Sequence, residues 1–340
     1  MLYGQDKSMR YRVEHELLGS HQVVGLSDST KQWRVRIARR GATVLSLELL
    51  RQGQLFDLAD GFRDAAELEA RPGSRFAVMA PYANRVDDAR YRFAGEWHDL
   101  QPGIEGAARA ARHGYLRDED FSIESAMADE AGATVVFANR SIRPGVHPGY
   151  PYALDISVRY TLADDGLSLE TVMRNVGDRA APCFFGWHPY LRVADGYVDD
   201  WELSVPAAKL VRTNADYIPL AGTAAYQSLD DVPAMDFRTP RRIGALELNH
   251  AYAELHLDAD GRARTRLRDP ASGLQLAVWQ ESGVMLVFSA DTVNRDQRRA
   301  LALEPMQSMA DAFNRDDCAA AIRLEPGAER RYRCGVEMGS

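Results

Sequence analysis

The dominant pattern along the chain is alternation of apolar and polar positions, which is typical of β-strands with one buried face. Between residues 154 and 162 every second side chain is apolar or aromatic, and Asp164-Asp165-Gly166 then predicts a turn. The alternation resumes over residues 167–173, so this segment predicts a β-hairpin. The same pattern predicts further strands at residues 33–37, 45–49, 91–93, 255–257, 274–278 and 332–336.

Helical periodicity is scarce by comparison. Residues 64–70 and 106–112 are the two segments whose pattern favours a short helix. Strands at short, regular spacing with Gly and Asp turns predict an all-β fold, a large antiparallel β-sandwich with few short helices. No linker, repeat or low-complexity stretch interrupts the chain, so we expect residues 1–340 to form a single domain.

Composition and charge narrow the class of partner. The 340 residues are 46% hydrophobic, and 41 basic against 49 acidic residues give a net charge of −8. This balance, with no run of Lys or Arg, argues against a nucleic-acid or anionic-membrane partner. No apolar run approaches the ~18 residues of a membrane span, and the N-terminus lacks the apolar core of a signal peptide. Three cysteines without CxxC spacing fit a reduced, cytoplasmic protein.

Four irregular stretches hold most of the unusual polar residues. They are residues 79–91, 110–121, 185–191 (FGWHPYL) and 303–314 (LEPMQSMADAFN). Loops on a rigid scaffold are where functional sites usually lie, so we expect these stretches to build the site.

Two histidines and one glutamate in these stretches are candidates for proton transfer. His113 precedes a glycine and His188 precedes a proline, so each is either held in a pocket or satisfied within the core. Glu304 follows the apolar residues 301–303 and precedes Pro305. If the strand end is buried, the pKa of Glu304 would rise toward the value that a general base needs. If the strand end is exposed, Glu304 would keep the usual pKa of a glutamate.

Other side chains nearby suit ligand binding. Arg85, beside Asn84, either grips a hydroxyl-rich or anionic ligand or forms a surface ion pair with Asp87 or Asp88. The aromatic neighbours of His188 either stack on the apolar face of a sugar or belong to the core; they are Trp187 and Tyr190.

Taken in order, these stretches resemble the aldose 1-epimerase (galactose mutarotase) family. The NRV segment with the following Arg92-Phe93-Ala94-Gly95 resembles the arginine segment of that family, and His113-Gly114 matches its first histidine motif. His188-Pro189-Tyr190 matches its H-P-Y motif, and residues 303–314 resemble its glutamate motif. The resemblance covers residues ~30 to 335 and implies one galactose mutarotase-like β-supersandwich domain with an open sugar cleft.

The resemblance also implies roles for individual residues. Glu304 would be the general base on the anomeric hydroxyl, and His188 the general acid on the ring oxygen. His113 and Arg85 would hold sugar hydroxyls, with Asn84 in support. The reaction would interconvert α and β anomers of an aldose in a monomer or homodimer, with no metal or other cofactor.

One residue departs from the family pattern. Where the family often has an aspartate that accepts hydrogen bonds from the sugar, this chain has Asn249. An amide both donates and accepts, so the departure bears on which sugar is preferred rather than on the reaction.

Four alternatives remain open at this stage. The chain would be a carbohydrate-binding protein without activity, or an epimerase of a phosphorylated sugar, with Arg112 and Arg117 as phosphate ligands or as surface arginines. His113, His188 and Glu304 also match a zinc set in residue type, although HExxH spacing is absent. A glycosidase would need a second carboxylate, for which Asp311 is the candidate.

Overall fold

The computed structural model describes residues 9–51, 53–106 and 109–338, and its architecture is built from antiparallel strands. The strands in chain order are β1 (Tyr11–Leu18), β2 (His21–Asp28), β3 (Trp33–Ala38), β4 (Thr43–Arg51), β5 (Gln54–Asp57), β6 (Val78–Met79), β7 (Arg90–Phe93), β8 (Glu96–Asp99), β9 (Ser122–Ala128), β10 (Ala133–Asn139), β11 (Leu154–Ala163), β12 (Gly166–Asn175), β13 (Ala181–Pro182), β14 (Gly186–Trp187), β15 (Tyr190–Leu191), β16 (Glu202–Ser204), β17 (Ala207–Val211), β18 (Tyr226–Ser228), β19 (Arg241–Arg242), β20 (Asn249–Leu255), β21 (Ala263–Arg268), β22 (Gln275–Gln280), β23 (Val284–Phe288), β24 (Leu301–Met306), β25 (Arg323–Leu324) and β26 (Glu329–Met338). The described residues also contain two α-helices, α1 (Ala65–Ala70) and α2 (Ala319–Ile322).

Three large sheets form the body of the fold. Strands β1 to β5 pair in chain order, and a nine-stranded sheet has the order β19-β16-β21-β22-β26-β12-β11-β10-β9. The third sheet has the order β18-β17-β20-β23-β24-β14-β6, with β15 also paired to β24. Aromatic side chains meet in the core between the second and third sheets, as in the contacts of Tyr160 with Trp187 and of Tyr332 with Phe185, the residue before β14. The prediction of a large antiparallel sandwich is confirmed.

The hairpin predicted at residues 154–173 is present as β11 and β12. Ala163 pairs with Gly166 at the turn, and the apolar side chains along both strands are buried whereas Arg159 is exposed. The alternation thus identified both the strands and the buried face. The strand predicted at residues 255–257 lies earlier in the chain, because β20 spans Asn249–Leu255 and Leu257 is exposed beyond its end.

Of the two predicted helices, one forms. Helix α1 begins after Asp64, whose carboxylate accepts a hydrogen bond from the Glu67 amide at 2.8 Å. The helix predicted over residues 106–112 is wrong over residues 109–112, which are not helical, whereas Gly106 has a 3-10 helical conformation. Instead Arg109 donates to the carbonyls of Gln101 and Ile104, so tertiary hydrogen bonds outweigh local propensity there. Residues 107 and 108 lie outside the described residues.

Strand β24 is central in the third sheet and carries Glu304. It pairs with β23 on one side and with β14 and β15 on the other, and all six of its residues are buried. A carboxylate on such a strand is surrounded by protein rather than water. The strand therefore holds the glutamate rigidly.

No helix in the described ranges has the length and apolar character needed to cross a bilayer.

Candidate active site

Glu304 and His188 meet across the pairing of β24 with the segment between β14 and β15. The Leu303 amide donates to the Pro189 carbonyl at 3.1 Å, and the His188 amide donates to Ala77 at 3.1 Å. These backbone bonds place His188 Nε2 3.2 Å from Glu304 Oε1. Two ionisable side chains that sequence reasoning treated separately are thus in direct contact.

The surroundings of this pair shift both pKa values. Glu304 is 2% exposed and His188 5% exposed. Because burial disfavours a charge, it raises the pKa of Glu304 well above its usual value, although the charge of Arg85 lowers it. Burial likewise lowers the pKa of His188 to about 3. Glu304 Oε2 and His188 Nδ1 are buried atoms that make no hydrogen bond within the described part of the chain.

A second histidine stands beside the first. The rings of His113 and His188 lie 5.3 Å apart in an edge-to-face arrangement, and His113 Nδ1 is 2.7 Å from Met79 Sδ. Burial, and then the charge of His188 and of nearby arginines, lowers the pKa of His113 well below its usual value. His113 is therefore neutral near pH 7 and offers a ring nitrogen as a hydrogen-bond partner.

Glycine fixes where His113 stands. Gly114 has φ +64°, and a Cβ at this position would lie 2.1 Å from the Ala80 carbonyl oxygen. The Tyr115 amide donates to that same carbonyl at 2.9 Å, and the His113 amide donates to Asn84 at 2.9 Å. The backbone must pass this close to residue 80 for His113 to reach the site, and a side chain at 114 prevents it.

Asn84 and Arg85 form one unit. The Asn84 side-chain oxygen accepts from the Arg85 amide at 2.9 Å and from Arg85 Nη1 at 3.0 Å. The Arg85 guanidinium also lies 4.8 Å from the centre of the Tyr217 ring. The alternative ion pair with Asp87 or Asp88 does not form; Asp88 pairs with Arg90 and Arg109 instead. Tyr217 carried no motif that would have identified it from the sequence.

The two aromatic neighbours of His188 are placed differently. The Tyr190 ring stacks on the His188 ring at 4.9 Å and 9°, which fixes the orientation of the imidazole. Trp187 is fully buried between Phe76 and Tyr160 and does not line the site. The expectation that Trp187 binds sugar is wrong, because adjacent residues of an extended segment point to opposite sides.

These residues surround one cavity of about 370 Å³. Of the eight site residues predicted from the sequence, Trp187 does not line this cavity. The other seven line it: Asn84, Arg85, His113, His188, Tyr190, Asn249 and Glu304. Arg112 and Arg117 line it too. The remaining lining residues carried no sequence signal: Gly73, Ser74, Phe288, Thr292, Val293 and Asn294.

The segments at residues 73–75 and 292–294 are tied together by buried charges. Asp60 accepts from Arg75, whose side chain is fully buried, and from Arg295, with closest contacts of 3.1 and 2.6 Å. Arg295 also contacts Glu67 at 2.7 Å. Such a network imposes one arrangement on the chain, because breaking it leaves a buried charge unpaired.

The carboxylate pair of a glycosidase is not present in the cavity. Asp311 accepts hydrogen bonds from the Asp87 amide at 2.9 Å and from Asn314 at 2.7 Å, and it lines a separate open groove beside Trp97. Within the described ranges, Glu304 is the one carboxylate that lines the cavity. No group of three His, Cys, Asp or Glu side chains there has a metal-binding arrangement.

Comparison with known proteins shows which family the chain belongs to. The model of the aldose 1-epimerase family matches residues 23–337. The chain belongs to the aldose 1-epimerase family. The family match begins before residue ~30, where the resemblance seen in the sequence starts. Strands β1 and β2 also lie before that residue.

Individual relatives span much of the chain. The uncharacterized protein YihR of Escherichia coli K12 is 29% identical over 238 residues, covering 70% of this chain and 71% of YihR. Galactose 1-epimerase from Lactobacillus acidophilus superposes with a TM-score of 0.78 at 17% identity, covering 98% of this chain and all of the other. A galactose mutarotase-like protein from Clostridium acetobutylicum gives 0.82 at 13% identity, covering 97% and 99%. At these identities the structures establish the β-supersandwich fold.

The close approach at residue 114 predicts a stability difference between two glycine variants. Gly114→Ala should lower the free energy of unfolding by at least ~2 kcal/mol, since it adds both backbone strain and a steric clash. Gly261→Ala is the matched control, because Gly261 has φ +80° with open space around it. Denaturant unfolding of both variants measures the difference, and equal losses would contradict the proposed clash.

Proposed function

We propose that this protein interconverts the α and β anomers of an aldose by acid and base catalysis of ring opening and closure. The observation that supports this most is the contact of Glu304 with His188 inside a cavity whose other walls carry hydrogen-bonding groups. A sugar offers this cavity many hydroxyl groups. Membership of the aldose 1-epimerase family supports the same reaction.

Ring opening requires two proton transfers at one hemiacetal carbon. A base removes the proton of the anomeric hydroxyl, and an acid protonates the ring oxygen. Rotation about C1–C2 then allows the ring to close on the other face. Because both oxygens are bonded to the same carbon, the two protein groups must lie close together, and a separation of 3.2 Å meets this requirement.

The pair carries the single proton that this chemistry needs. The raised pKa of Glu304 and the lowered pKa of His188 favour the proton on Glu304 in the free protein. A starting state with Glu304 as carboxylate and His188 as imidazolium would hold the same number of protons on the pair. Transfer along the 3.2 Å contact forms the carboxylate and imidazolium, with Glu304 as the base and His188 as the acid. The neighbouring Arg85 charge favours that carboxylate.

The remaining residues would bind the sugar. Arg85 and His113 would hold hydroxyl groups, and Asn84 orients Arg85 through its side-chain oxygen. Tyr190 fixes the imidazole, and Asn249 offers an amide at the wall formed by β20. These interactions exist in both ground and transition states, so they mainly set substrate affinity.

Replacing Glu304 tests the function directly. Glu304→Gln keeps the shape and a hydrogen-bond acceptor but removes the exchangeable proton, so kcat should fall at least ~10²-fold with little change in sugar affinity. Polarimetry or NMR exchange between anomers, across a panel of aldoses, measures the rate. Glu329→Gln, at an exposed position on β26, is the control and should retain full activity. Sugar binding without anomer exchange in the unmodified protein would indicate a non-catalytic carbohydrate-binding protein.

The pKa shifts predict the acid side of the pH profile. A histidine with an ordinary pKa near 6.5 would gain a proton between pH 7 and 5. Because burial lowers the pKa of His188 to about 3, it stays neutral over this range and the pair keeps one proton. We therefore expect that kcat/KM, corrected for spontaneous anomerisation, does not fall between pH 7 and 5. An acid-side loss with a midpoint near 6.5 would contradict this assignment.

The amide at residue 249 predicts a change of sugar preference. Asn249→Asp replaces a group that donates and accepts with one that only accepts, so the ratio of kcat/KM values among aldoses should change while the reaction stays the same. Epimers that differ at one hydroxyl provide the readout. An unchanged ranking across the panel would remove Asn249 from the sugar site.

A further inference from the structure

Tyr217 has a backbone conformation that tyrosine seldom adopts. Its φ is +61°, in the left-handed region, where a Cβ crowds the neighbouring carbonyl oxygen and glycine is the usual residue. Its side chain is 44% exposed, so burial of the ring in the core does not account for the residue. Non-glycine residues in this region persist only where the surrounding structure enforces them, and they concentrate at functional sites. The strain at Tyr217 therefore points to a function for its ring.

A closed loop enforces this conformation. An antiparallel bridge joins the two ends of residues 213–219. Inside the loop, the Asn214 side-chain oxygen accepts hydrogen bonds from the amides of Asp216 and Ile218, each at 3.0 Å. The Tyr217 amide donates to the Asn214 carbonyl at 3.1 Å. These bonds fix the backbone on both sides of Tyr217, and they thereby fix the direction in which its side chain leaves the loop.

The ring that this loop presents lies against the Arg85 guanidinium. Arg85 Cζ is 4.8 Å from the centre of the ring, within the range of a cation–π interaction. Among the described residues, Tyr217 does not line the cavity of Glu304 and His188, whereas it lines a small neighbouring cavity together with Arg85 and Asn249. A ligand in the larger cavity would thus meet Arg85 rather than Tyr217.

Carboxylates near Arg85 offer it a different partner. Asp87, Asp88 and Asp216 line a groove together with Arg85. Asp88 is paired with other arginines, but Asp87 and Asp216 form no ion pair within the described ranges. Arg85 pairs with none of the three, and in the same part of the chain its one side-chain hydrogen bond goes to Asn84, at 3.0 Å. An arginine held by a carboxylate would keep fewer free donors and less net charge for a ligand.

We propose that Tyr217 is a positioning residue that holds the Arg85 guanidinium toward the cavity and away from the groove lined by Asp87 and Asp216. An aromatic face attracts the cation without taking up its hydrogen-bond donors, whereas a carboxylate takes up one or two of them. Asn84 binds one nitrogen of the guanidinium, so most donors of Arg85 stay free. This inference rests on the proposed function for the role of Arg85 in holding sugar hydroxyl groups.

Two variants of residue 217 separate the ring from the backbone. Tyr217→Gly removes the ring but suits the positive φ, so the denaturant midpoint should not fall. Its KM for the aldose with the highest kcat/KM should rise ~5-fold or more with little change in kcat, because the lost contact orients a binding group. Tyr217→Phe keeps a ring against Arg85 and should retain KM within ~2-fold. Polarimetry or NMR exchange between anomers gives both constants.

Three results with these variants would overturn the proposal. An unchanged KM in Tyr217→Gly would mean that the ring does not support binding. An equal loss in Tyr217→Phe would assign the effect to the hydroxyl group. A Tyr217→Gly variant with a lower denaturant midpoint and a lower kcat would show a structural role alone.

Gln32 provides the matched backbone control. It has φ +56° in an exposed turn between β2 and β3 and does not line the cavity. Gln32→Gly makes the same kind of backbone change as Tyr217→Gly without removing a ring, so it should leave KM unchanged. An equal rise of KM in both glycine variants would contradict a specific role of Tyr217.

A double-mutant cycle tests whether Tyr217 acts through Arg85. Arg85→Ala should itself raise KM, and the further change Tyr217→Gly should raise it no more, because the ring then has no guanidinium to hold. Losses that multiply in the double variant would mean that Tyr217 acts independently of Arg85, which contradicts the proposal.

A measurement on the free protein separates this inference from the proposed function. The ring current of Tyr217 shifts the NMR signals of the Arg85 guanidinium, which are assigned by their loss in Arg85→Ala. These signals should move in Tyr217→Gly and stay in place in Gln32→Gly. If they move but the unmodified protein exchanges no anomers, the proposed function fails and the positioning of Arg85 stands. If anomers exchange but the Arg85 signals are the same in Tyr217→Gly, this inference fails and the proposed function stands.

Discussion

Glu304 and His188 are both buried and lie 3.2 Å apart, so the ionisation of each depends on the charge of the other. A lone buried carboxylate would be protonated, and a lone buried imidazole would be neutral, because each charge is disfavoured in a medium that solvates it poorly. In the proposed mechanism they share one proton, which moves along this short contact. The proposed chemistry depends on this coupling, since ring opening removes the proton of the anomeric hydroxyl and delivers a proton to the ring oxygen.

The fold supplies the rigidity that such a contact requires. Glu304 lies on β24, a strand paired on both sides, and His188 is held between strands that pair with β24 itself. Stacking on Tyr190 fixes the plane of the imidazole. The ion pairs of Asp60 with Arg75 and Arg295 then join the two segments that close the cavity near Tyr190. A shift of a few tenths of an ångström at any of these points would lengthen the contact.

The sequence predicted much of this and missed particular parts for physical reasons. Period-two alternation identified strands such as β11 and β12, because one face of each is buried. Six of the seven candidate residues that line the cavity lie in the four irregular stretches where motifs were found, and Asn249 was identified by its place in the family pattern. Trp187 was wrong, since its neighbour His188 faces the cavity and an extended backbone sends the next side chain the other way. The charge network of Asp60 and Arg295 joins residues far apart in the chain, which local patterns do not reveal. The same holds for Arg112, whose place in the cavity depends on pairing with residue 85.

The protonation state of His188 is the most direct test of a buried pair that shares one proton. ¹⁵N NMR of the ring nitrogens, with His188 assigned by comparison with a His188→Asn sample, distinguishes neutral imidazole from imidazolium across the pH range. The account predicts that His188 is neutral at pH 7 and remains so at pH 5, because burial lowers its pKa to about 3. Titration of the His188 ring with a midpoint near the ordinary value of ~6.5 would contradict it.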